Sequence, residues 1–229
     1  MLRPSVTFAG LFAGLLLSAN VFALSISDLS QSDASGGLKD ALTQGAQIAV
    51  KQLGVPGGFS NNKDVRIELP GSLGKVAKKM KQFGMGAQVD ELEASMNQAA
   101  EAAVPQAQAI LVDAVKKMSV TDAKAILTGG NDSATQYLNK TSRDQIRAKF
   151  LPIVKQATDK VGVAQKYNSF AGQAASLGVV NSKDANIEGY VTEQALNGLF
   201  EMIGKQEASI RQNPAAAATS LAKKVFGAL

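Results

Sequence analysis

The 229-residue chain has no cysteine, no histidine and no tryptophan, and only three tyrosines. Without cysteine there is no disulfide to staple an exported fold and no thiol nucleophile. Without histidine there is no imidazole general base, no Ser-His-Asp arrangement, and none of the commonest transition-metal ligand. No metal site and no cofactor follow from what remains. Stacking platforms for sugars or bases are scarce. Any catalysis would have to come from carboxylates, lysine, tyrosine or Ser/Thr. The formal net charge of +5 is too mild to mark a nucleic-acid partner, and none is expected.

The N-terminus also lacks an apolar run long enough for a membrane span. Arg3 gives a basic end, residues 6–17 form a short apolar core, and Val21-Phe22-Ala23 supplies a small-x-small exit. This is the pattern of a secretory signal peptide over 1–23, cleaved after Ala23. The core falls short of the roughly 20 residues that cross a bilayer, so no transmembrane segment is expected after cleavage.

What the chain does have is helical periodicity. The Ser-, Asp- and Gly-rich stretch 24–37 reads as a flexible lead, and 38–229 as one domain. Leu38, Leu42, Gly45, Ala49 and Leu53 recur at three- and four-residue steps, with Gly54 as a stop. Pro70 opens a second helix carrying Leu73, Val76, Ala77, Met80 and Phe83, ended by Gly84. The longest run places Val89, Leu92, Met96, Ala99, Ala103, Ala107 and Ile110 on one face, interrupted by Pro105, where a kink or a junction of two helices is expected. A short helix over 121–128 is followed by Gly129-Gly130-Asn131-Asp132, a turn in which Asp132 is placed to cap the next short helix. Ser142 and Gln145 form a capping box for a further helix containing Pro152. Helices through Phe170 and Leu196 follow, and Asn213-Pro214 opens the last. The sum is an all-α bundle of about eight helices.

One passage breaks the pattern. In GGFSNNKDVRIELP, residues 57–70, glycines and asparagines form a turn, and then Val65, Ile67 and Leu69 alternate with Arg66 and Glu68. This predicts a short extended or β segment near 64–69. A lone strand leaves edge N–H and C=O groups to be satisfied. Residues 178–180 are the expected pairing partner, and an added ligand peptide the alternative.

The phrases GFSNNKDVRIELPGSL, LEASMNQAAEAAVP, DAKAILTGGNDSATQYL, KFLPIV and GLFEMIGKQEASIRQNP resemble a family of exported bacterial proteins, mainly of Gram-negative species, classed as a domain of unknown function. The resemblance spans about 36–226. It implies a periplasmic, mostly helical protein and brings no reaction, cofactor or catalytic residue with it.

Four groups of residues are candidates for function. Glu93, Asn97 and Glu101 stand at steps of four on one side of a helix. Paired carboxylates there could do acid–base work on a glycosidic bond, with Asp122 a further candidate. They could instead be a polar helix flank, or an Asn and Glu satisfying a nearby helix end. Gly129 and Gly130 precede a helix start and could expose N–H groups to an anion, or simply make a turn. Lys75, Lys78 and Lys79 share a basic face that could meet anionic head groups or an acidic polymer, or only keep the surface solvated. Arg211, four residues after Glu207, could bind a carboxylate or phosphate, or pair with Glu207 as a clamp between the last two helices. The three tyrosines read as half-buried core residues with bonded hydroxyls.

These observations point to a non-catalytic periplasmic helical binding or interaction module for a hydrophobic small molecule, an envelope component or another protein. The competing expectation is a carboxylate-dependent hydrolase or lyase acting on an envelope polymer.

Overall fold

The computed structural model describes residues 25–69, 71–82, 84, 86–121, 123–176 and 187–229. Among them are eight α-helices: α1 (Gln31–Leu53), α2 (Gly71–Gln82), α3 (Ala87–Lys117), α4 (Ala123–Leu127), α5 (Ser133–Lys160), α6 (Val163–Ser176), α7 (Ile187–Gln212) and α8 (Ser220–Phe226). Two 3₁₀ turns, Ile26–Asp28 and Pro214–Ala216, complete the regular structure, and the described residues contain no strand. The expected signal peptide lies outside them, as do Pro70 and Phe83.

The four long helices close a ring in the order α1–α3–α5–α7, each packed on the next and α7 packed back on α1. Small side chains make this possible. Ala99, Ala100, Ala103 and Ala107 of α3 are all fully buried, so neighbouring helices approach closely without voids. Around the ring, α8 lies on α1, α4 bridges α1 and α5, α6 rests on α3, and α2 touches α3 and α6.

Several expected boundaries are corrected. The supposed flexible lead is largely helix: Ser30 accepts a hydrogen bond from the Asp33 N–H at 2.9 Å and starts α1 at Gln31. Gly36 and Gly37 are places where α8 comes close. A Cβ on Gly37 would stand 2.6 Å from Val225 Cβ, whereas one on Gly36 would meet only the Leu221 Cδ2 tip at 2.7 Å. Gly37→Ala is therefore expected to cost about 1–3 kcal/mol by overpacking. Gly36→Ala is expected near neutral, because a leucine tip can move and alanine favours helix. Thermal melts of the two variants separate the sites, and equal melting temperatures would show that α8 adjusts freely.

Neither Pro105 nor Pro152 divides its helix. Buried Val104 and Ala107 flank Pro105, and packing on both sides outweighs one missing N–H bond. Ser142 opens no helix: it is buried inside α5, on a face continuing at steps of four through Leu138, Ile146, Phe150 and Val154. Asn213 makes no side-chain cap, and the last helix is opened by Thr219, which accepts from the Ala222 N–H at 3.0 Å.

Candidate functional site

The odd passage and the acidic helix face meet. After α1 ends at Gly54, the chain turns through Gly57, whose φ of +87° suits a residue without a Cβ. It passes through further hydrogen-bonded turns as far as Val65, and residues 66–69 then cross α3 outside the turns. Residues two apart in an extended chain are separated by about 6.6 Å, and residues four apart on a helix by about 6 Å. The two periods nearly match, so two successive turns of α3, at Glu93 and Asn97, serve Leu69 and Ile67, while the Val65 and Arg66 N–H groups turn back to the Asn62 carbonyl.

Asn97 uses this match fully. Its Oδ1 accepts from the Ile67 N–H at 2.9 Å while its Nδ2 donates to the Ile67 carbonyl at 2.8 Å, as a neighbouring strand would. One turn earlier, Glu93 Oε1 faces the Leu69 N–H at 3.5 Å. One turn later, Glu101 Oε1 accepts from the Phe59 and Ser60 N–H groups and the Ser60 hydroxyl, each at 3.0 Å. From the other side, the Tyr190 hydroxyl donates to the Glu68 carbonyl at 2.7 Å. Burial, with the Glu68 and Glu93 charges adding to it, pushes the Tyr190 phenol above its usual range, so it stays a donor. Lys205 of α7 pairs with Asp64. Phe59, Val65, Ile67 and Leu69 are buried, and Gly198 of α7 admits them: a Cβ there would lie 2.7 Å from the Phe59 ring. Side chains of α3 thus pair the Phe59, Ser60, Ile67 and Leu69 N–H groups and the Ile67 carbonyl. The segment's own Asn62 carbonyl and Tyr190 of α7 take others. The expected partner at 178–180 lies outside the described residues.

Glu207 and Arg211 form a second internal junction. Glu207, 2% exposed, accepts from the Ala134 and Thr135 N–H groups at 3.0 and 2.7 Å and from the Thr135 hydroxyl at 2.7 Å. It therefore caps α5 from α7, and the anion expected at this helix start is the chain's own carboxylate. Asp132 makes no cap bond and instead accepts from Gln136. Arg211 pairs with Glu207 at 2.7 Å and donates to the Leu127 carbonyl at 2.6 Å and the Ser133 hydroxyl at 2.8 Å, while lying over the Phe226 ring. The clamp therefore joins the end of α4 and the start of α5 to α7, as well as touching α8. Gly129 and Gly130 are exposed turn residues beside it. Tyr137 donates to the Ser119 carbonyl, and Tyr167 is buried. Asp122 lies outside the described residues.

Two larger concavities lie among the described residues. A groove of ≈ 490 Å³ between α5 and α7 is lined by Asn131, Gln136, Asn139, Arg143, Asn197 and Phe200 among others. Burial would raise the Glu193 carboxyl, but Arg143 and Arg147 outweigh it and hold it below its ordinary value. The second, a cleft of ≈ 530 Å³, lies between the extended segment and α2 and includes Lys75 and Lys78 in its walls. Lys75, Lys78 and Lys79 are exposed. Sequence reading missed the part played by Arg66 and the α5–α7 pairs. Their partners lie far along the chain, and no local spacing signals them.

Among the described residues no three acidic side chains assemble as a metal-binding group, and no helix is long and apolar enough to cross a membrane. Neither a curated protein nor a solved structure matches the chain. Residues 28–227 match the family described as a protein of unknown function, DUF4197, and the chain belongs to that family.

Proposed function

We propose that this is an exported, periplasmic helical module of the cell envelope that binds a ligand or partner and does no covalent chemistry itself. One observation carries this reading: the carboxylates best placed for acid–base work are already engaged with the protein's own backbone. Glu101 holds two main-chain N–H groups and a hydroxyl. Glu93 holds Lys81, Arg66 and the Leu69 N–H, and Glu207 caps α5. A general acid or base must reach a substrate proton; Glu101 and Glu207 face backbone donors, and Glu93 is held by two cations.

Glu101→Gln tests the reading. It is expected to lower the unfolding free energy by about 1–2 kcal/mol, since a charged acceptor of three donors is replaced by a neutral one. Neither wild type nor variant is expected to release soluble fragments from dye-labelled cell-wall polymer. Fragment release by the wild type, abolished in Glu101→Gln at unchanged stability, would establish the hydrolase or lyase reading instead. Export is checked separately: the protein recovered from the periplasmic fraction is expected to begin at Leu24.

A further inference from the structure

The two concavities differ in charge. The α5–α7 groove sets Arg143 and Lys205 against Asp132 and Glu201 in its lining, and both cations are already paired, Arg143 with Glu193 and Lys205 with Asp64 and Glu201. It has no preference for a charged ligand. The cleft beside α2 sets Arg66, Lys75, Lys78 and Lys81 against Glu68 and Glu93. Four cations face two carboxylates there.

How those charges are arranged matters more than their count. Glu93, 5% exposed, lies at the back of the cleft. Its Oε2 holds Lys81 Nζ at 3.0 Å and Arg66 Nη2 at 3.5 Å, so one buried carboxylate draws two cations together. Asp90 fixes Lys81 further at 2.9 Å. Burial would lower the Lys81 ammonium, but hydrogen bonds and charge from Asp90 and Glu93 hold it above the ordinary lysine value. Arg66 is half-exposed, lines the cleft and meets Glu93 through Nη2 alone, which leaves the rest of its planar fork of donors to match an oxyanion. On the opposite wall, Lys75 and Lys78 are exposed and have no ion pair or hydrogen bond among the described residues. The helix that carries them, GSLGKVAKKMKQ, has no acidic residue. Gly71 and Gly74 contribute no side chain to block the space between the walls.

We propose that this cleft binds a phosphate-bearing anion, with Lys75, Lys78 and the free face of Arg66 as its ligands and Glu93 as the residue that positions Arg66 and Lys81. The excess of cations complements the one or two negative charges of a phosphate ester. Glu93 is screened from the ligand by the two cations it holds. The inference names the ligand class of the binding module proposed above and rests on that reading for its biological setting. The site itself depends only on this chain. The phosphate could belong to a soluble ester or to an anionic phospholipid head group, and lysines near such a surface contribute about 1 kcal/mol each.

The purified mature chain is to be titrated with pyrophosphate in low-salt buffer by calorimetry. Co-sedimentation with phosphatidylglycerol and with phosphatidylcholine vesicles forms the second arm. Lys75→Gln/Lys78→Gln is compared with Lys155→Gln/Lys160→Gln, which removes the same charge from exposed positions on α5. We expect the α2 variant to weaken binding by about tenfold or more, as loss of charge-assisted bonds requires, and the α5 variant to bind like wild type. Binding to pyrophosphate alone identifies a soluble ester. Co-sedimentation with phosphatidylglycerol alone, lost in the α2 variant, identifies a head group. Binding to neither, or equal weakening in both variants, overturns the proposal. Because both arms use purified protein, their failure is distinct from a failure of the export reading, which the N-terminus of the cellular protein reports.

Discussion

Asn97→Ala is expected to lower the unfolding free energy by about 2–4 kcal/mol. Asn97 is 1% exposed and bonds both main-chain groups of Ile67 as well as the Glu93 carbonyl. Truncation leaves a buried N–H and a buried C=O without partners, and each such group costs about 1–3 kcal/mol. Asn97→Asp keeps the acceptor and loses the donor while introducing a charge beside two carbonyls, so it is expected to be no milder. Urea unfolding measures both. Proteolysis under native conditions adds a local readout, because the segment should become cleavable at residues 59–69 before the helices do. If Asn97→Ala unfolds within 0.5 kcal/mol of wild type, a figure typical of about the size of surface substitutions, the side-chain ladder does not hold the segment.

Glu207→Ala is expected to cost about 3–5 kcal/mol, the usual penalty for removing one partner of a buried ion pair. The Arg211 guanidinium would lose its carboxylate while remaining 7% exposed, and α5 would lose the acceptor for two first-turn N–H groups. Arg211→Met should cost less, because Glu207 keeps the Ala134 and Thr135 donors when the arginine is gone. A double-mutant cycle on the two positions reads the coupling directly. Equal costs for the two single variants would mean that the ion pair, and not the cap on α5, dominates the junction.

Both predictions concern residues that the sequence had singled out, with a structural role among the readings. Steps of four place Glu93, Asn97 and Glu101 on one side of a helix, and that much is legible from spacing alone. What they face is not. Their partners lie in the connector between α1 and α2, 24 to 42 residues earlier, and nothing in the local pattern of α3 points there. The alternation of Val65, Ile67 and Leu69 was legible in the same way. It foretold an extended segment with one buried side; side chains of α3 meet Ile67 and Leu69, and the expected partner at 178–180 lies outside the described residues. Gly36-Gly37 shows where local reading fails. Glycine pairs in a polar stretch read as a flexible lead, yet here they let α8 approach α1.

The sequence by itself determined the all-α class, the helical faces, the positions of Gly54 and Gly84 as stops, and the absence of histidine and cysteine chemistry. Periodicity and composition are local or global sums, and they can be read without coordinates. Only the tertiary structure decided that α5 is one helix through Ser142, that Glu207 rather than Asp132 caps it, and that Arg66, Lys75, Lys78 and Lys81 share a cleft. Hydrogen bonds and charge interactions act over a few ångströms of space, whatever the distance along the chain. Their partners are therefore fixed by how the helices pack, which no short stretch of sequence records.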